Sequence, residues 1–183
     1  FTANKIDAES ITLLEPILKK FTENYHIHFE EDENLRTVQE QMLTHIEGYL
    51  VGPIVVNLGM TGMFHKYFME SSFRADEFHK HPEAFAKILD FFVHLGWFSK
   101  KNDNYQFTED GFFFAKRASA YGVTVSYLPM FKHIDSLLFG NASELRNIAK
   151  NEDEIHVNRE MNVWGSNGAH AGKNGQIDHH FPV

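Results

Sequence analysis

The sequence predicts a mainly α fold, a helical bundle with a winged-helix unit that contains one small β-hairpin. Three observations carry that expectation. Apolar residues recur at helical spacing through most of the chain. The aromatic pairs Trp97-Phe98 and Tyr105-Gln106-Phe107 bracket a polar turn, Lys100-Lys101-Asn102-Asp103-Asn104. Helix punctuation at Pro82, Gly96 and Thr108 falls on either side of that hairpin. With 183 residues, 43% of them hydrophobic and 14% aromatic, the chain has material for such a core, since chains of this size bury roughly 70% of their unfolded surface.

Each element has its own signal. Ile11, Leu14, Ile17, Leu18 and Phe21 follow Ser10, a candidate N-cap, and predict a first helix that Pro16 disturbs. After the acidic break Glu30-Glu31-Asp32-Glu33, the residues Leu35, Val38, Met42, Ile46 and Leu50 mark a second amphipathic helix, which Gly52-Pro53 should end. The run Ile54 to Phe68 reads as a buried helix whose Gly59 and Gly62 permit close packing. Pro82 suits the first turn of the next helix, with Phe85, Ile88, Leu89, Phe92 and Leu95 on its apolar face and Gly96 as its stop. Thr108 caps the helix after the hairpin, which runs through Ala118. Helix, hairpin, helix is the order of a winged helix-turn-helix unit. Beyond an expected turn at Gly122, the segment Val123 to Phe139 is interrupted at Pro129 and offers Val125, Leu128, Ile134, Leu138 and Phe139 to a core. Gly140 closes it, and a short helix with Leu145 and Ile148 follows.

Composition excludes several function classes. Lys+Arg 17 against Asp+Glu 25 gives a net charge of −8 with no basic cluster, whereas nucleic-acid affinity rests on phosphate neutralisation. The helix from Pro82 carries Glu83, Asp90 and Lys87, and a groove-reading helix brings Arg, Lys, Asn or Gln instead. No stretch approaches the roughly 20 apolar residues that span a bilayer, and FTANKIDAES has the pattern of no leader. The expectation is therefore a soluble, cytoplasmic chain with no nucleic-acid and no membrane partner. Cys 0 removes disulfides and thiolate metal sites. Among the 12 histidines, His26 with His28 and His79 with His81 lack a third ligand in a clear pattern, so no metal is expected. Gly165-Ser166-Asn167-Gly168 is not a nucleophile elbow, and no phosphate-binding loop is present.

Three segments carry a family resemblance. They are Leu89-Asp90-Phe91-Phe92-Val93-His94-Leu95-Gly96-Trp97-Phe98; Thr108-Glu109-Asp110-Gly111 running to Tyr121-Gly122-Val123-Thr124-Val125-Ser126-Tyr127-Leu128-Pro129; and His156-Val157-Asn158-Arg159-Glu160-Met161-Asn162-Val163-Trp164-Gly165-Ser166-Asn167-Gly168-Ala169-His170. Together, over roughly residues 35 to 170, the chain resembles the N-terminal region of class I S-adenosylmethionine (SAM) dependent methyltransferases, those of polyketide biosynthesis above all. The resemblance implies a lid and dimerisation region ahead of a Rossmann-like cofactor domain, a homodimer, and a small-molecule or carrier-bound acceptor. SAM serves the intact family member. None is expected to bind tightly to this chain, which lacks a strand, Gly-rich turn and following acidic residue.

On this reading, residues 1–70 form an N-terminal helical region, 71–140 the winged-helix and connecting helix, and 141–170 a linker toward a cofactor domain. Residues 171–183 read as an out-of-frame tail. Asp178-His179-His180-Phe181, written GAT CAT CAT TTT, yields three isoleucines one nucleotide later, as the family's next helix would require. His170 is the candidate catalytic residue, because an imidazole there can orient substrate, act as a general base or hold a metal that polarises a carbonyl. His156 lies in the same stretch. Asn162, Trp164 and Ser166 surround it, with Trp164 as a pocket wall or a buried anchor. Tyr127 and His133 sit on the interrupted helix, which in such methyltransferases lines the substrate cavity. The function expected is the lid and dimerisation region of a SAM-dependent methyltransferase, inactive as this chain. The alternative is a non-catalytic winged-helix interaction or regulatory module.

Overall fold

A computed structural model of the chain describes residues 8–65, 69–146 and 155–173. The expected tail beyond residue 173, the end of the helix expected over 54–68, and Ile148 lie outside the described residues. The chain divides into two compact units, Phe1–Lys116 and Arg117–Val183.

In the first unit, helix α1 (Ala8–Thr22) buries Ile11, Leu18 and Phe21. Ser10 lies inside its first turn rather than capping it. A left-handed turn, Asn24–His26, leads to α2 (Glu33–Met60). Asp32 caps α2, its Oδ1 accepting from the backbone N–H of Asn34 and Leu35 at 3.0 Å each. The expected break at Gly52-Pro53 does not occur. Pro53 lacks the N–H that would reach back one turn, yet Val51 and Ile54 to Leu58 are buried, and that burial outweighs one missing bond. The helix expected over 54–68 is therefore the last part of α2, which stops at Met60.

The winged unit follows the sequence closely. Helix α3 (Pro82–His94) starts on its proline and buries Phe85, Ile88, Leu89, Phe91 and Phe92. Gly96, at φ +78°, takes the left-handed turn that follows. Strands β1 (Phe98–Lys101) and β2 (Asn104–Phe107) pair antiparallel, with Phe98 opposite Phe107 and Lys100 opposite Tyr105. The turn is Asn102-Asp103, shorter than the five polar residues suggested, because the flanking lysine pair and Asn104 belong to the strands. Phe73 adds a single antiparallel bridge to Tyr105, with N–H···O distances of 2.9 and 2.8 Å. Thr108 caps α4 (Glu109–Ala115), accepting from the Gly111 N–H at 3.1 Å while its own hydroxyl donates to the Gly96 carbonyl at 2.6 Å. That helix ends at Ala115, short of the expected Ala118.

The second unit is helical: α5 (Ala118–Ser126), α6 (Leu128–Phe131), α7 (Ile134–Phe139), a 3-10 turn (Ala142–Arg146) and α8 (Arg159–Lys173). Gly122 makes no turn. It lies inside α5, where that helix crosses α8 with almost no space between the backbones. A Cβ on Gly122 would stand 2.8 Å from the Gly165 Cα, and one on Gly165 would stand 2.6 Å from the Val123 nitrogen. The stretch expected as a linker thus contains α8. Its glycine-rich run is helical, and Gly165 permits a contact with α5 that any side chain would prevent. Asn158 caps α8, accepting from the Met161 N–H at 3.1 Å and donating its backbone N–H to the Ser126 carbonyl at 2.8 Å. Of the residues expected to face a core, Val125 is buried, but Ile134, Leu138 and Phe139 are 54%, 67% and 89% exposed.

Two glycine substitutions test this packing. Gly165→Ala is expected to lower stability by about 1–3 kcal/mol through overpacking, despite better helix propensity. Gly48→Ala on α2, where an added Cβ meets nothing within 4 Å, is expected to raise it by about 0.5–1 kcal/mol. Denaturant midpoints of the two variants should move in opposite directions.

Candidate functional site

The wing is tied to its helix by one polar cluster. Asp90 on α3 accepts at Oδ1 from the Tyr105 hydroxyl at 2.8 Å and from Lys100 Nζ at 2.7 Å. The Lys100 ammonium also lies 5.0 Å from the centroid of the Tyr105 ring, which is almost fully buried. The hairpin register creates this arrangement, since Lys100 and Tyr105 are directly opposed across the strands. The hydrogen bond to Asp90 holds the Lys100 ammonium above its ordinary pKa of 10.5, and burial pushes the Tyr105 phenol above 10.0. Elsewhere on α3, Lys87 donates to Glu15 of α1 at 2.5 Å. Lys87 and Asp90 therefore serve internal packing. A shallow groove of about 250 Å³ lies beside the wing, lined by Arg74, Pro82, Glu83, Lys100, Asp103 and Tyr105 among others. Arg74 is held there by Asp76 at 2.6 Å.

A raised pKa for either group means that folding favours its protonated form. That stability is present below the unfolded values of 10.0 and 10.5 and is lost as pH rises through the folded ones. Stability of the protein should fall above about pH 10. Tyr105→Phe should cost about 1 kcal/mol near neutrality and flatten that alkaline loss, as melting curves across pH 8 to 11.5 would show.

The candidate catalytic and substrate-side residues all lie in the second unit. Tyr127 is the half-buried joint between α5 and α6, its N–H donating to the Thr124 carbonyl at 3.2 Å. His133 stands at the start of α7. Asn162, Trp164 and Ser166 are half-buried on α8. The Asn162 amide donates to the Ser126 hydroxyl at 3.0 Å, and that hydroxyl in turn donates to the Val123 carbonyl at 2.5 Å. Because 159–173 is one helix, Asn162, Ser166 and position 170 follow one another at four-residue intervals along one face. Trp164 falls on another face of α8. The side chain of His170 lies outside the described residues. His156 precedes α8, and its Nδ1 is buried without a hydrogen-bond partner. His79 Nδ1 accepts from the His81 backbone N–H at 3.0 Å, so this pair supports a local turn. Among the described residues no group of three His, Asp or Glu side chains is placed to hold a metal.

Sequence reasoning missed Ser126, Asn158 and the Asp90, Lys100 and Tyr105 cluster. Asn158 was findable as an N-cap residue directly ahead of Arg159-Glu160-Met161. The cluster depends on the short turn, which fixes the register. Among the described residues, no helix is long and apolar enough to cross a membrane.

Comparison with known families agrees with this geometry. No curated protein matches the chain. The model of the AprA winged helix domain matches residues 47–141, from the middle of α2 through the wing to the end of α7. That span is more than half of the sequence, and the chain belongs to the AprA winged helix domain family.

Proposed function

We propose that this chain is the lid and dimerisation region of a SAM-dependent methyltransferase that acts on a small-molecule or carrier-bound, polyketide-type acceptor. The observation that carries the reading is the winged-helix match over residues 47–141. The protein works as a homodimer and stays in the cytoplasm on this reading.

The described residues do not fit SAM itself. A dinucleotide-type cofactor site uses the turn between a strand and a helix, where glycines let backbone N–H groups reach the ligand. Here Gly165-Ser166-Asn167-Gly168 lies inside α8, and Gly165 is pressed against the backbone of α5. The described sheet is the antiparallel hairpin of the wing. SAM is therefore assigned to a separate cofactor domain of the enzyme, and this chain takes the acceptor side. Tyr127 and His133, at the joints between short helices, and Trp164 on α8 contribute to the acceptor cavity. Asn162 and Ser166 offer hydrogen bonds to an acceptor carbonyl or hydroxyl. His170, one turn further along α8, receives or positions its proton.

A second reading, a non-catalytic interaction module, is favoured by the use of Lys87 and Asp90 in internal contacts. NMR titration separates the two. Acyl-pantetheine acceptor mimics should shift amide resonances of Tyr127 and of α8 from Asn162 to His170, with Asn162→Ala and His170→Ala weakening the response, while SAM shifts nothing. Micromolar SAM binding would overturn the assignment of SAM to another domain. Absence of any acceptor response would favour the interaction module.

A further inference from the structure

The first two-thirds of α2 has no buried residue from Glu33 to Leu50, although it is amphipathic. This is about five turns and about 27 Å of helix. Leu35, Val38, Met42 and Tyr49, spaced by three, four and seven residues, are 55%, 52%, 60% and 65% exposed. They form a single stripe. The adjoining flank is used by the chain itself. Gln39 accepts from the Glu30 N–H at 2.9 Å, Arg36 donates to the Glu30 carbonyl at 3.1 Å, and Leu43, Ile46 and Leu50 are half-buried. The stripe stands free of these contacts. The family match begins only at residue 47, so most of this arm precedes the winged-helix domain.

We infer that the stripe Leu35, Val38, Met42 and Tyr49 is the surface on which a second copy of this chain packs, helix against helix and antiparallel. This rests on the homodimer proposed above and names its interface. An exposed helix of this length draws its stability mainly from an apolar face packed on something. The stripe and its borders, Asn34, Gln41, His45 and Gly48, carry no Lys, Arg, Asp or Glu, while Glu33, Arg36, Glu40 and Glu47 fall on the other side of the helix. Such a face suits neither an acidic nor a basic partner. It does suit itself, since apolar side chains at this spacing interlock and amide borders both donate and accept. Antiparallel packing also opposes the two helix dipoles and places the two winged bodies, each joined at the C-terminal end of its arm, at opposite ends. Two arms of this length cover roughly the 1,000 Å² at the lower limit of a specific interface, which predicts a dimer of micromolar strength.

The absence of cysteine makes the test direct. Met42→Cys lies mid-stripe and should cross-link to itself with a short bismaleimide. Leu35→Cys should not, but should link to Tyr49→Cys when the two variants are mixed. Light scattering should give a dimer for the wild type and a monomer for Met42→Glu with unchanged helical circular dichroism. If Met42→Glu loses helicity, the cross-links decide. Self-linking of Leu35→Cys would overturn the antiparallel arrangement. A wild-type dimer that survives Met42→Glu and does not link at Met42→Cys would overturn this interface and leave the homodimer standing. A monomer at several hundred micromolar would overturn both.

Discussion

The first unit depends on the closure of the wing over α3. Phe73 lies at its centre, fully buried, with ring centroids 5.5 Å from Phe98, 5.8 Å from Phe107 and 6.0 Å from Tyr105. Phe98 meets Phe107 edge-on at 4.7 Å and Phe92 of α3 at 5.6 Å. Such pairs add about 0.5–1.5 kcal/mol each beyond the area they bury. A two-stranded hairpin is marginal alone in water. Here one face of it is core, and the Phe73 bridge extends it. The Asp90 cluster secures the outer edge, and Trp97 stacks on Phe114 of α4 at 4.2 Å. The eighteen phenylalanines of the sequence find much of their purpose in this closure.

That closure shapes what the unit can do. In a DNA-reading winged helix, a helix and the wing present cations outward. Here α3 gives its apolar face to the wing, Lys87 to Glu15 and Asp90 to the wing's own lysine and tyrosine. In the second unit the same role of close packing falls to two glycines. Gly122 and Gly165 let α5 and α8 touch backbone to backbone, and the Ser126 to Asn162 hydrogen bond sets the rotation of α8. The face bearing Asn162 and Ser166 is oriented by that contact.

The winged unit was legible because its signals are local. Pro82, Gly96 and Thr108 each act within a few residues of themselves, and each sits where its chemistry demands. What the sequence concealed depends on distant partners. Pro53 and Gly122 both look like breaks, and both lie inside helices, one carried through by burial of its neighbours and the other required by a helix forty-three positions away. The glycine-rich run at 165–168 has loop composition and helical structure, with Gly165 against the backbone of α5. Ile134, Leu138 and Phe139 have core character but are exposed. For the candidate site residues, the sequence named segments and not faces. Only the helix over 159–173 put Asn162 and Ser166 on one face and Trp164 on another.

The wing closes a protein core, and we propose that it does not read nucleic acid. Fluorescence anisotropy of a labelled DNA duplex, titrated with the chain from 50 to 300 mM salt, tests it most directly. The account predicts no saturable binding and no dependence on salt, as a net charge of −8 and internally paired α3 charges require. Submicromolar binding that weakens by orders of magnitude across that range would contradict it and make the chain a nucleic-acid reader.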